Sequence, residues 1–170
     1  MRHFNTRFRL RDSDRHIRLV YTLFLFLMAA GFVFSFFWAH SMTELSLQGI
    51  AAHYRGSDAT FGEPMSFREL AEVTHFHLFT MPVVFMILAH VLYLTGAGNG
   101  FKIGVTWTGF GGVMLDLISP WLITYVSPIF SLAMLAGDCL MVAGFSIMTA
   151  IPIYEMWFLQ QPLMARSNQE

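Results

Sequence analysis

The sequence predicts an all-α fold, an integral membrane four-helix transmembrane bundle that forms a single domain over residues 1–170. Apolar residues make up 55% of the chain and charged residues only 12%, about half of what a soluble domain carries. The charges are also clustered. Stretches without Asp, Glu, Lys or Arg cover residues 19–43, 73–101, 103–115, 117–137 and 139–154. Because about 20 apolar residues suffice for a helix to cross a bilayer, these stretches predict four spans.

The predicted spans are joined by one long connection and two turns. The spans cover residues of about 17–38, 73–94, 103–126 and 129–153, and the long connection covers residues 40–72. Within it, the apolar spacing of TELSLQGIAAHYRG (43–56) predicts a short helix that ends at Gly56. Ser66 and Glu69 predict a capping box that opens the next long helix. TGAGNG (95–100) and Ser127-Pro128 predict the turns.

Basic residues predict the orientation of the bundle. Six arginines precede the first span, namely Arg2, Arg7, Arg9, Arg11, Arg15 and Arg18. The positive-inside rule places this end in the cytoplasm, and four spans return Lys102 and Arg166 to the same side, an N-in/C-in topology. The predicted location is a bacterial inner membrane. The mitochondrial inner membrane is less favoured, because Asp12 and Asp14 interrupt the basic segment.

Charge and cysteine content exclude several classes of function. The net charge is −1, which argues against a nucleic acid partner. The single cysteine, Cys139, has no partner for an intramolecular disulfide, and the chain lacks a CxxCH segment. Covalent c-type haem attachment and a thiolate zinc site are therefore not expected.

Histidines are the candidate cofactor ligands. The predicted topology places His40, His53, His75 and His77 near the outer face, and His90 about 20 Å further in. His75 and His77 are two positions apart and therefore point about 200° apart on a helix. His75 and His90 return to within about 60° of one face, a spacing at which one span can hold two stacked haems if facing helices supply the opposite ligands.

Two alternatives to haem remain open for these histidines. His75 and His77 are also candidate ligands of a transition metal such as copper, iron or zinc, since imidazole binds all three. An interfacial histidine can instead hydrogen-bond a lipid headgroup, a backbone carbonyl or a carboxylate. Glu72, three residues before His75, provides such a carboxylate.

The segment HFHL (75–78) adds a resemblance to known families. It resembles the H-x-H-L segments that supply haem ligands in haem–copper oxidase and nitric oxide reductase subunits. In architecture, the chain resembles small four-helix b-type cytochromes of respiratory membranes. The resemblance implies bound haem b and a role in electron transfer.

Two acids interrupt the third and fourth spans. Asp116 and Asp138 each lie about ten residues from the turn at Pro128, so they are expected at the same depth. Carboxylates within a bilayer are functional candidates by default. They predict a proton-relay or quinone site, or else a structural hydrogen-bonded pair. Glu155, at the inner end of the fourth span, is interpreted as interfacial.

The sequence therefore supports three hypotheses. The first is a b-type haem electron-transfer protein or respiratory-complex subunit, with Asp116 and Asp138 at a linked proton or quinone site. The second is a protein that handles or senses a metal, and the third is a scaffold subunit without catalysis. The expected partners are the lipid bilayer, a quinone, and a larger respiratory complex or further copies of the chain. No motif fixes a reaction, so enzyme activity is left open.

Overall fold

The fold is all-helical in the computed structural model, which describes residues 9–57 and 62–159. The helices are α1 (Arg15–Thr43), α2 (Leu47–Arg55), α3 (Phe67–Tyr93), α4 (Asn99–Tyr125) and α5 (Ser131–Phe158). Short 3-10 turns cover Leu10–Asp12 and Pro128–Phe130. Three arginines on which the predicted orientation depends, Arg2, Arg7 and Arg166, lie outside the described residues.

Several helices are suited to a lipid environment. In the described part of the chain, α1, α3 and the segment Pro128–Phe158 are long and apolar enough to cross a membrane. Helix α4 is as long as α3, at 27 residues. It is less apolar because it contains five glycines, three threonines, Lys102 and Asp116. The protein is therefore a multi-pass membrane protein with at least three candidate spans.

Helices α3, α4 and α5 pack together as the centre of the molecule. Glycines on α4 and α5 face each other: a Cβ atom on Gly112 would lie 2.6 Å from the Met141 backbone nitrogen, and one on Gly144 would lie 2.7 Å from the Gly109 Cα. Only glycine allows the two backbones to approach this closely, as small residues do in membrane proteins. These pairings lie midway along both helices, which are antiparallel. We call this contact the glycine seam.

Helix α1 lies at the edge of the bundle. It contacts α5 through a stacked pair of rings, Phe32 and Phe145, with centroids 4.0 Å apart. Trp157 donates a hydrogen bond from Nε1 to the Thr22 hydroxyl at 3.0 Å. Most of the remaining surface of α1 is exposed and apolar, as expected for a helix surrounded by lipid.

The predicted local signals are confirmed at both ends of the long connection. Ser66 and Glu69 form the expected capping box at the start of α3. The short helix α2 ends at Gly56, which has a φ of 75°. The turns around residues 95–98 and 126–130 also lie where the sequence predicts them.

Polar contacts join the helix ends at one side of the bundle, which we call the charged end. Lys102 donates from Nζ to the Thr95 carbonyl at 2.6 Å and to the Tyr93 carbonyl at 3.1 Å. Glu155 accepts a hydrogen bond from the Gly96 backbone N–H at 2.6 Å. The interpretation of Glu155 as interfacial is wrong, because its side chain is 4% exposed. It holds the α3–α4 turn against α5.

The glycine seam makes a prediction about adjacent glycines. Gly112→Ala should destabilise the protein by about 1–3 kcal/mol, because backbone atoms of α5 cannot move away from the added methyl group. Gly111→Ala is the matched control, since nothing lies within 4 Å of its Cβ position and alanine favours a helix. The measurement is the thermal unfolding midpoint in mild detergent. Equal midpoints for the two variants would contradict the seam.

A second prediction concerns Glu155. Glu155→Ala should lower the free energy of unfolding by about 1–3 kcal/mol, because the Gly96 N–H loses its acceptor and the buried Glu155 side chain leaves a gap against the turn. Glu155→Gln keeps an acceptor oxygen and should retain most of the stability. Thermal midpoints of both variants against the parent measure the effect, and an alanine variant as stable as the glutamine variant would rule out this hydrogen bond as a stabilising contact.

Candidate functional site

Two carboxylates come together where α4 meets α5. Asp116 lies on α4 and Asp138 on α5, and the two interact electrostatically. The glycine seam explains their proximity: a Cβ on Gly137, the residue before Asp138, would lie 3.3 Å from the Asp116 backbone nitrogen. The two acids are therefore neighbours across the α4–α5 contact, and their equal depth in a bilayer stays a prediction. We call Asp116, Asp138 and the two side chains described next, His77 and Tyr54, the acid cluster.

His77 approaches the pair from α3. Its Nδ1 lies 3.9 Å from Asp116 Oδ2, which is within ion-pair distance but too long for a direct hydrogen bond. The His77 side chain is 35% exposed and that of Asp116 only 12%. His77 therefore connects the inner carboxylate to the surface of the bundle.

Tyr54 covers the cluster from α2. Its side chain is buried, and both aspartates act on its hydroxyl. Burial raises the pKa of the Tyr54 hydroxyl above its ordinary value, and the negative charges of Asp116 and Asp138 raise it further. Tyr54 is therefore a neutral hydroxyl at physiological pH, able to donate or accept a hydrogen bond.

Polar anchors hold the surrounding helices in place. Arg55 donates from Nη1 to the Ile123 carbonyl at 2.9 Å, so it fixes the end of α2 to the end of α4. Trp121 donates from Nε1 to the Thr74 hydroxyl at 2.9 Å, which joins α4 to α3 one turn from His77. Ile50 of α2 is buried against Leu70 of α3 and Ile123 of α4. The cover over the acid cluster is thus a packed element rather than a loose loop.

His53 lies beside this cover. Its ring contacts the Tyr54 ring edge-on, with centroids 4.9 Å apart. Burial lowers the pKa of His53 below its ordinary value, because desolvation disfavours the charged imidazolium. His53 is neutral at pH 7.

The other predicted ligands are spread over the surface. His40, near the end of α1, and His75 and His90, on α3, are all exposed. His75 and His77 face different sides, as their spacing predicts. Within residues 9–57 and 62–159, no group of three or more His, Cys, Asp or Glu side chains is placed to hold a metal ion. The structure therefore joins His77 to Asp116 and Asp138. Of the other predicted ligands, His53 contacts Tyr54, whereas His40, His75 and His90 lie apart from the acid cluster.

Tyr54 is the member of the acid cluster that sequence reasoning missed. The available signal was its position four residues after Ile50 on the apolar face of α2, which predicts burial. Its hydroxyl made it a polar group on that face. The sequence does not show that Tyr54 is buried against two acids, because it does not reveal on which helices α2 packs.

The acid cluster has the chemical composition of a proton-binding site. Two carboxylates held together with little water favour the state in which one of them keeps a proton. A histidine and a tyrosine beside them can accept or donate that proton.

Comparison with known proteins identifies the family. No curated protein and no solved structure matches the chain. The profile of one family, described as a transmembrane helical domain, matches residues 44–163. That match includes α2 to α5 and every member of the acid cluster, and it covers more than half of the chain. The protein belongs to the Aq_1264_TM family of transmembrane helical domains.

Proposed function

We propose that this protein is a proton-relay subunit of a bacterial inner membrane, with the acid cluster as its proton-binding site. The observation that carries the proposal is the contact of His77 with the Asp116–Asp138 pair. Buried acids of this kind are expensive in a bilayer unless they hold a proton or a partner. Electron transfer, the role implied by the resemblance to b-type cytochromes, stays a prediction.

The topology in this proposal is a bundle of four spans. Helix α4 packs antiparallel against α5, with the glycine seam midway along both, and the two helices have nearly the same length. In this proposal they therefore cross the same thickness of membrane. With the arginines Arg9, Arg11, Arg15 and Arg18 in the cytoplasm, the charged end faces inward. Both ends of the chain are then inside, and α2 covers the acid cluster on the outer side.

The exposure of the side chains indicates where protons reach the acid cluster. His77 is the more exposed partner and Asp116 the more buried one, so protons enter or leave through His77 and rest on the carboxylate pair. Tyr54 closes the site from the outside. A quinone, or the redox chemistry of a larger respiratory complex, is the class of partner that supplies or consumes protons at such a depth. Neither a quinone nor a larger complex is needed for the site to bind protons.

The test is an infrared pH titration of the protein reconstituted in lipid. The parent should show a C=O band of a protonated carboxylic acid, because one acid keeps its proton. Asp116→Asn and Asp138→Asn should each remove the titration of that band. Proton flux through reconstituted vesicles, measured with an internal pH dye, should fall by about 100-fold in the same variants.

Asp14→Asn is the control for this experiment. Asp14 is exposed at the start of α1, so the band and the flux should not change. A parent without a titrating acid band, or a band that persists in both aspartate variants, would overturn the proposal. If the acid band titrates but the vesicles show no proton flux, the acid cluster binds protons without conducting them, and the relay part of the proposal is wrong.

Tyr54 gives a separate prediction at alkaline pH. An unfolded tyrosine ionises at about pH 10, whereas folded Tyr54 keeps its proton to higher pH. The unfolded state then binds fewer protons than the native state, so the free energy of unfolding falls as pH rises through 10. Tyr54→Phe should reduce this fall. The measurement is the unfolding midpoint from pH 8 to 11, with exposed Tyr125→Phe as control, and identical pH profiles for both variants would contradict the burial of the hydroxyl beside the acids.

A further inference from the structure

A groove of about 520 Å³ lies between α1 and α5. Helix α1 lines it with Ala29, Phe32 and Val33, and α5 lines it with one face of the segment from Phe145 to Phe158. The stacked rings of Phe32 and Phe145 form one end of the groove. We call it the α1–α5 groove.

The α1–α5 groove has the polarity and the length of a lipid acyl chain. Its lining is apolar except for the hydroxyls of Ser146 and Thr149, and Thr149 donates its own hydrogen bond to the Phe145 carbonyl at 2.8 Å. From Phe145 to Phe158, α5 advances by about 20 Å. The hydrocarbon of one leaflet is about 15 Å thick, half of the bilayer core. The groove is therefore long enough for one acyl chain that ends at a membrane surface.

A fixed positive charge lies at the Phe158 end of the groove. Arg18 donates from Nη1 to the Met156 carbonyl at 3.3 Å, from Nε to the Ser13 carbonyl at 2.9 Å and from Nη2 to the Arg11 carbonyl at 3.1 Å. All three acceptors are uncharged. Within residues 9–57 and 62–159, no carboxylate lies at ion-pair distance from Arg18. Its guanidinium is thus held in place without a counter-charge.

A second arginine continues the face of α1 that lines the groove. Arg15 and Val33 are 18 positions apart, which is five full turns, so they point in the same direction from the helix. Arg18 and Ala29 are 11 positions apart and lie within about 20° of each other around the axis. The Arg15 side chain is exposed and forms no hydrogen bond or ion pair with another residue in the described ranges.

The charge around this end favours a negatively charged ligand. Residues 9–18 contain four arginines and only two aspartates. A guanidinium matches the geometry of a phosphate group, and basic pockets between membrane helices are suited to anionic lipid headgroups. An apolar groove about one leaflet long that ends at two such arginines is complementary to both parts of an anionic phospholipid.

We propose that the α1–α5 groove binds an anionic phospholipid. The phosphate pairs with Arg15 and Arg18, and one acyl chain lies along the groove toward the Phe32–Phe145 stack. The bound lipid would attach α1, which lies at the edge of the bundle, more firmly to α5. This inference goes beyond the proton-relay proposal, because it uses none of the acid cluster.

The test is a lipid titration of the full chain in mild detergent, followed by native mass spectrometry. Phosphatidylglycerol should bind at least about ten-fold more tightly than phosphatidylcholine with the same acyl chains, because two arginines face its charge. Arg15→Gln should weaken phosphatidylglycerol binding by about five-fold. Arg68→Gln is the control, since Arg68 is equally exposed but lies on α3, and its affinity should equal that of the parent. Arg18 is left unchanged because it also holds the N-terminal segment in place.

A matched pair of alanines tests the position of the acyl chain. Ala143 and Ala150 are both exposed on α5, and only Ala150 lines the groove. Ala150→Phe should fill the groove and weaken the binding of phosphatidylglycerol by about ten-fold or more, because the added ring occupies the path of the chain. Ala143→Phe should bind the lipid as the parent does.

Several results would show that the groove is not an anionic lipid site. These are equal affinities for the two lipids, an unchanged affinity in Arg15→Gln, and equal affinities in the two phenylalanine variants. A dimer that retains no lipid would also contradict the proposal, since a second copy would then cover the groove. The infrared titration of the aspartates should be the same in all of these variants, so failure of this proposal and failure of the proton-relay proposal are distinguishable.

Discussion

The close approach of α4 and α5 is the constraint on which the rest of the structure depends. Gly112, Gly137 and Gly144 leave room for backbone contact where any side chain would separate the helices. In a bilayer no hydrophobic effect drives helices together, so close packing of this kind supplies much of the association. The same contact places Asp116 beside Asp138. Association of the helices and formation of the acid pair are therefore one event.

The acid pair opposes the helix packing that brings its two members together. Two carboxylates close together oppose helix association unless a proton or a cation neutralises them. His77 on α3 and Tyr54 on α2 approach the pair from the sides that α4 and α5 leave open. The elements outside the seam can thus be understood as a shell that makes a buried acid pair tolerable. This explains why α2, a short helix outside the spans, is packed firmly with a buried Ile50 and an anchoring Arg55.

Much of this arrangement could be predicted from sequence, because it depends on local chemistry. Runs of apolar residues, the Ser66–Glu69 capping box and the turn residues determine where helices begin and end. Counting from the turn at Pro128 places Asp116 and Asp138 at one depth. Helix facing is different, since it depends on which neighbours pack where. The pattern of α3 does not reveal that His77 turns inward while His75 and His90 turn outward, and Glu155 looks interfacial until the α3–α4 turn is seen folded over it.

The three histidines of α3 lie on two different sides of the helix. His77 Nδ1 lies 3.9 Å from Asp116 Oδ2, on the side of α3 that faces the acid cluster. His75 and His90 lie on the exposed side of the same helix, among Phe79 and Met86. Helix α3 therefore turns one histidine toward the carboxylates and two histidines away from the bundle. Which histidine faces which way is set by the packing of α3 against α4 and α5, because the spacing of the three residues on the helix is fixed.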